Sequence, residues 1–520
     1  MPVDLWHVAL ASLPLVVLLV ALLRLGWSGA RSGLVALAVA LVLAVTVFAT
    51  PAAAVGVALG RGLAVSVDVL YIIWAALLLD RLADGAGAIE SIGAAVGRLT
   101  TDRLWQLLII GFAFSSFLQG VAGFGVPVAV TASLLVGLGF GPLEAAAVPL
   151  LGHAWAVSMG TMGSSFQAIR SVTGLPRPGL GAWISILLGM AAVVTGFAVA
   201  HLHGGWAAVR RSFWGVLVLG SAMAATQLAF SLTRQWTIAA FAAGMVGMGV
   251  SMLLARHAQA HADRRNGSSA VGLPAREAMP ARLAFLPYAI LIVLVAAATL
   301  VGPLREALGR IQVTLQFPGI PTGRGWNAGA SSYALPLPGH PGSLLLYTTA
   351  LTALLYGRRG VALPAWRAVW TGARAQGVPT TVTIVLLVWV AMVMTYSGMT
   401  FLLARGLAAV FGVFFPFVSP FIGLIGTVIT GSNTTSNLLF GALQRDGALL
   451  LALSPTLIAA LQSAGGALGS MLTPAKVVLA TATTGSVGQE GRVMRVTLRY
   501  ALMMTAGMGL VGWLAAALRL

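Results

Sequence analysis

The sequence TGSNTTSNLLFGALQ, residues 430–444, lies deep in an apolar third of the chain. Yet Thr430, Ser432, Asn433, Thr434, Thr435, Ser436 and Asn437 set uncharged polar groups almost side by side. The whole chain is 59% hydrophobic and 8% charged, which marks a polytopic membrane protein. In a bilayer an irregular polar run is tolerated only where protein buries it or a water-filled cavity wets it. The run therefore reads as a binding loop held at membrane depth. Hydroxyls, amides and open N–H groups at a helix start suit a small anion, or a desolvated cation through their oxygens. The plainer reading is a polar seam between helices, although a seam rarely needs six polar residues in a row.

Composition removes several classes. There is no cysteine, so no disulfide framework, thiolate metal site or Cys nucleophile. The formal charge of +18 would suggest nucleic acid in a soluble chain. Here the basic residues sit between apolar spans, and the positive-inside bias accounts for them without a nucleic-acid partner. The first apolar stretch, 8–23, lacks a basic region before it, so no cleavable signal peptide is expected. Asn433 and Asn266 each begin a glycosylation sequon, the first expected buried and the second cytoplasmic.

Stretches of about 17–25 mostly apolar residues are long enough to cross a bilayer. They fall at 8–23, 33–49, 63–79, 143–163, 179–200, 212–231, 236–255, 284–301, 343–356, 378–396, 449–472 (extending to about 484) and 496–518. The expectation is an all-α polytopic membrane protein with about twelve transmembrane helices in the cell (inner) membrane. Two further apolar regions, 104–140 and 414–445, are broken midway by glycine, proline or polar residues. Each reads as a re-entrant hairpin, a kinked full span being the alternative. With the N-terminus outside, nineteen arginines then fall inside and ten outside, and Lys476 completes the 30 basic residues. Counting each hairpin as one crossing would put the basic 256–282 loop on the side opposite Arg81, Arg98 and Arg103, so the charge bias favours hairpins.

The chain divides into an N-terminal half, 1–255, a polar cytoplasmic linker, 256–283, and a C-terminal half, 284–520. The segment 302–342, rich in Gly and Pro, is expected to form an external cap, lid or disordered loop. The halves echo each other. At an offset of 309, Gly160-Thr161-Met162 falls on Gly469-Ser470-Met471, His153 on Gln462, and 123–130 close to 432–439. Each half runs span, amphipathic stretch (82–98 or 400–413), hairpin, then glycine-broken span (143–170 or 449–484). On this topology the two halves run in opposite directions. Inverted repeats in transporters place substrate near the midplane, between discontinuous elements.

The candidate substrate contacts are accordingly the two hairpin tips, Gly123, Phe124 and Gly125 in the first half and Ser432 to Asn437 in the second, with Gln462 from a broken span. Glycines leave N–H groups open to a ligand, and Pro127 pre-sets the next helix. Three ionisable residues are candidates for proton coupling: His153, Asp68 and Glu144. Each has a plainer reading: a hydrogen-bonded structural histidine, a pair with an interfacial arginine, and a carboxylate at a helix start. Lys476 could charge the site or reach to the cytoplasmic surface. No metal site, cofactor motif, Walker loop or catalytic triad is seen.

At these residues the chain resembles the bacterial lactate permease family. The matching pieces are AGFGVPVAVTASLLVGLGF (122–140), TGSNTTSNLLFGALQ (430–444) and QSAGGALGSMLTPAKVVLATATTGSVGQEG (462–491). The resemblance implies proton-coupled uptake of L-lactate, and often of D-lactate or glycolate. It also implies kinship with elevator-type carboxylate transporters, in which hairpins and broken spans move against a scaffold that forms a homodimer. By that analogy Ser432, Asn433 and Thr434 form a carboxylate or ion site. Gly152-His153-Ala154-Trp155 departs from the Asn-Thr-Ala-Pro-like run often found there, which leaves the exact substrate and coupling ion open. Sodium coupling is the alternative within this class. A membrane-embedded enzyme acting on lipid-linked substrates would need clustered carboxylates or histidines, which are not seen. A passive channel would show no uphill accumulation.

Overall fold

The computed structural model describes residues 5–97, 100–123, 125–266 and 279–519. Phe124, Arg98 and residues 267–278 of the expected linker lie outside that set; the linker's first residues continue the helix Ala239–Asn266. Among the described residues, eight helices are long and apolar enough to cross a membrane. The number is nine if Leu286–Leu300 and Gly302–Arg310, bent by 87°, count as one span. The expected twelve is not reached by this measure, because several expected spans are short or interrupted. The stretch 143–163 is a helix, Pro142–Ala154, then an irregular turn, a 3₁₀ segment, Thr161–Gly163, and a second helix, Ser164–Thr173. Spans 179–200 and 212–231 form one helical run, Arg177–Leu232, broken at Gly204 and Gly205.

Other boundaries also move. The span placed at 63–79 belongs to a 34-residue helix, Ala52–Gly85. The helix Asn433–Leu450 runs past residue 449, and the following one starts at Pro455. An apolar run, LLLAL, conceals the turn between them, where Ala452 takes a φ of 52°. Of the 302–342 segment, Gln312–Phe317 and Ser331–Pro336 form an antiparallel β-hairpin, with Gln312 opposite Pro336 and Phe317 opposite Ser331.

Two apolar clusters organise the molecule. In the first, Ala52–Gly85 and Gly29–Thr46 both pack on Trp366–Ser397; Pro341–Arg358 also packs on Ala52–Gly85 but sends Leu344, Leu345 and Tyr356 into the second. In the second, Phe415–Thr430 packs on Pro455–Gly469 and Glu490–Ala517. The helices Ser164–Thr173 and Asn433–Leu450 lie where the clusters meet, sending Ala168, Val172, Leu438, Leu439 and Leu443 into the first.

Each of the two regions read as a hairpin is a pair of helices joined at a glycine turn. The arms of the first are the helical stretch Arg103–Val121 and Val126–Gly137, and its tip is turned by Gly125 at φ 93°. Its first arm contains eight π-helical residues, Leu107–Phe114, a local widening that is frequent at functional sites. The arms of the second are Phe415–Thr430 and Asn433–Leu450, joined through Gly431 at φ 76°. A left-handed residue lets the chain reverse there at little steric cost. The second hairpin and the helix behind it meet backbone to backbone. A Cβ on Gly423 would overlap the Gln462 carbonyl, and one on Gly465 would overlap the Pro420 carbonyl. Small residues of this kind let helices approach closely in lipid, where the hydrophobic effect supplies little attraction between them.

Candidate functional site

The broken elements converge on a cavity of about 270 Å³. Gln119 and Gly123 come from the first hairpin. Thr161, Ser164 and Ser165 come from the break that follows it. Thr430 to Thr435 come from the second hairpin, Ser470 and Lys476 from its broken partner, and Thr380 and Thr383 from the helix Trp366–Ser397. Two helices of ten or more residues, Ser164–Thr173 and Asn433–Leu450, begin at this cavity. Their first N–H groups and dipoles favour an anion. Among the described residues the lining carries the Lys476 ammonium and no carboxylate.

The polar run does not fold as a loop. Gly431 and Ser432 are the turn, and Asn433 to Asn437 are the buried first turns of a helix. Its side chains divide by face. Ser432, Asn433, Thr434 and Thr435 line the cavity, while Ser436 and Asn437 point into the protein. Asn437 Nδ2 donates to the Ser165 carbonyl at 3.0 Å and to Ser463 Oγ at 2.9 Å. The Ser436 hydroxyl donates to the Gly423 carbonyl at 3.2 Å. Gln462 donates to Ser436 Oγ at 3.1 Å and accepts from Gln444 at 3.1 Å, so it braces the hairpin from behind. Gly125 shapes the first tip without lining the cavity.

The two halves are tied across the cavity wall. Asn433 Nδ2 donates to Ser158 Oγ at 3.0 Å, and Ser158 donates in turn to the Ser463 carbonyl at 2.9 Å. Ser165 and Thr434 share a hydrogen bond of 2.7 Å. Three lining atoms, Gln119 Oε1, Asn433 Oδ1 and Ser470 Oγ, are buried with no hydrogen-bond partner in the chain. Buried polar groups left so cost stability unless something else satisfies them. Thr161 and Met162 adopt left-handed φ of 49° and 53°, which is strained for non-glycine residues and for a β-branched one most of all. Such strain collects at functional sites.

His153 lies behind the cavity, fully buried. Its Nδ1 lies 2.7 Å from the Pro149 carbonyl and its Nε2 2.9 Å from Lys476 Nζ. The carbonyl can only accept and the ammonium can only donate, so this network assigns the proton to Nδ1 and makes the ring neutral. Lys476 therefore turns inward rather than reaching to a surface.

Asp68 does not reach this cavity and has no arginine partner among its hydrogen bonds. It takes His340 Nε2 at 2.6 Å on one oxygen, and Gln167 Nε2 at 2.6 Å and the Tyr333 hydroxyl on the other. Ser171 Oγ lies 2.9 Å from the Tyr333 oxygen. Burial and the neighbouring carboxylate push the Tyr333 hydroxyl above the ordinary phenol range, so it remains a donor. His340 Nδ1 accepts the N–H of Gly342 at 3.1 Å, which assigns its proton to Nε2. Glu144 does sit at a helix start, 2.8 Å from His203 Nδ1, and lines neither this cavity nor the Asp68 network.

Sequence reading missed Thr380 and Thr383, which follow Pro379 inside a long helix; that proline, which also lines the cavity, was the one local signal. It also missed Tyr333 and His340, whose role depends on a carboxylate some 270 positions away in sequence.

The sequence profile of a family described as L-lactate permease matches residues 7–519. The glycolate permease GlcA of Escherichia coli K12 is 30% identical over 535 residues, covering 97% of this chain and 95% of that one. The L-lactate permease of the same organism is 28% identical over 539 residues, covering 99% and 96%. That of Bacillus subtilis 168 is 28% identical over 530 residues, covering 95% and 93%.

Proposed function

The chain belongs to the L-lactate permease family, as a multi-pass inner-membrane protein, and from that membership we propose that it takes up a small 2-hydroxymonocarboxylate by proton symport. L-lactate is the first substrate to test, with D-lactate and glycolate beside it. The carrying observation is the cavity between the hairpin tips, where two helix N-termini and Lys476 converge and the described lining has no carboxylate. A bound carboxylate would take the Lys476 ammonium and N–H groups at the start of Asn433–Leu450. Its hydroxyl would meet Asn433, Gln119 or Ser470, the lining side chains with unpaired atoms. A carboxylate drawing Lys476 away would leave His153 Nε2 free to take a proton, which couples substrate to proton at one contact. The second apolar cluster, with both hairpins, would move against the first in an elevator motion.

One observation favours sodium as the coupling ion instead. A Cβ on Gly466 would meet both Asn433 Oδ1 and Thr427 Oγ1, and both oxygens are buried and unpaired. Neutral oxygens clustered in this way suit a hard monovalent cation.

The experiment is uptake of radiolabelled L-lactate by purified protein in liposomes, under a proton gradient, a sodium gradient, or neither. Uphill accumulation with the inward proton gradient alone, lost in Asn433→Ala, is the expected result. Accumulation with sodium alone would transfer the coupling role to the oxygen cluster. No accumulation under any gradient would overturn the proposal.

A further inference from the structure

Four guanidinium groups surround a second cavity. It measures about 420 Å³ and is bounded by Ala334 and Pro336 of the β-hairpin. Arg170, Arg177, Arg234 and Arg305 line it. Arg170 ends one helix, Arg177 begins the next, Arg234 sits in a turn and Arg305 comes from the short helix before the β-hairpin. Their convergence is thus made by the fold and not by a basic run in the sequence. Arg177 feels the like charge of both Arg170 and Arg234. The one carboxylate among the lining residues, Asp68, is turned into the wall by His340, Gln167 and Tyr333. Glu306, beside Arg305 in sequence, is not part of the lining.

Four cations facing one occupied carboxylate leave a strong positive excess in a partly enclosed space. A cleft lined by one sign of charge concentrates counter-ions and speeds their capture. The planar guanidinium fork also matches a carboxylate better than a spherical anion. We propose that this cavity is an outer anion site that holds a small monocarboxylate on its way to the inner cavity. The choice of monocarboxylate rests on the function proposed above; the positive cavity does not.

The two cavities share a wall. Ser164 and Ser165 line the inner one and Gln167 and Arg170 the outer one, all on the helix Ser164–Thr173. Five residues separate Ser165 from Arg170, an axial rise of about 7.5 Å. An anion leaving the arginines therefore needs to travel only about one and a half helical turns.

The test is equilibrium dialysis of radiolabelled glycolate against the purified full-length chain, in detergent free of anionic lipid. Two bound glycolates per chain are expected at low salt. Asn433→Ala should leave one, and the pair Arg234→Gln with Arg305→Gln should leave the other. The pair Arg234→Lys with Arg305→Lys should keep the outer site at about tenfold weaker affinity, showing that loss in the glutamine pair is not misfolding. Sodium chloride at 1 M shortens the screening length to about 3 Å and should weaken the site that survives in Asn433→Ala about tenfold. One glycolate per chain, unaffected by the arginine pairs, overturns the outer site. Binding that is lost in the glutamine pair but unchanged in Asn433→Ala keeps the outer site and instead refutes the inner-cavity reading. No glycolate bound by any form overturns both.

Discussion

Replacing Asp68 by asparagine keeps the shape of the side chain and removes its charge. The carboxylate is surrounded by donors: His340 Nε2 and Gln167 Nε2, each at 2.6 Å, and the Tyr333 hydroxyl. An asparagine has one accepting oxygen, so its NH₂ group must face either His340 or Gln167. His340 cannot accept without giving up the Gly342 N–H held by its Nδ1. Gln167 cannot turn its amide without releasing Arg170, whose Nε donates to Gln167 Oε1 at 3.2 Å. Either way one hydrogen bond to a charged acceptor is lost, worth about 2 kcal/mol, or about thirtyfold in an equilibrium. Because Gln167 belongs to the helix Ser164–Thr173 and Asp68 to Ala52–Gly85, the loss weakens this conformation against others in which those helices have separated. The natural absence of cysteine gives a clean background for the assay. Thr434→Cys, in the inner cavity, would be alkylated with a soluble maleimide in otherwise wild-type and Asp68→Asn proteins. The expected outcome is slower labelling in Asp68→Asn, by up to about thirtyfold, together with a lower Tm. Equal labelling rates at equal Tm would refute the claim that this network holds the two helices together.

Lys476→Met keeps most of the side-chain length and removes the cation from the inner cavity; the KM for L-lactate should rise about 10- to 100-fold in liposome uptake, the equivalent of one charged hydrogen bond. Ser165→Ala removes the 2.7 Å contact to Thr434 and should cost about 1 kcal/mol, read as a modest drop in Tm. Gly423→Ala drives a Cβ into the Gln462 carbonyl and should destabilise by at least about 1–3 kcal/mol; Gly491→Ala, with nothing within 4 Å of the added carbon, is the control that should leave Tm nearly unchanged. Thermal shift or fluorescence-detected size exclusion would check both.

The inner cavity was legible in sequence because its signal is local. A bilayer penalises unpaired polar groups so heavily that a run such as 430–437 declares itself, and Gly125 and Gly431 mark the two tips where the chain reverses. What the run could not show is how its faces divide. Ser436, Asn437 and Gln462 are as polar as Asn433, yet they serve the packing behind the hairpin, and only the helical phase of Asn433–Leu450 separates the two roles. Asp68 was legible as an unusual residue but not by its partners. His340 and Tyr333 lie in a Gly- and Pro-rich segment whose path no local pattern fixes. The four outer arginines counted as topology signals in sequence, because charge bias sums residues by side and says nothing of their meeting point. The turn after Leu450 was displaced for the opposite reason: apolar residues on both sides hid it.

The glycine contacts between Phe415–Thr430 and Pro455–Gly469 decide what kind of gate this protein can have. Where carbonyls of one helix lie against the Cα atoms of another, no side chain exists to act as a bearing, and sliding or peeling would open a void that lipid tails and water fill poorly. The second hairpin is in effect welded to the helix behind it. In the proposed elevator motion the tip would therefore travel with its partner as one block rather than lift as a flap. The joint then belongs where the chain enters the block, at Gly412, and stiffening it should slow turnover while leaving the pocket's grip on its ligand intact.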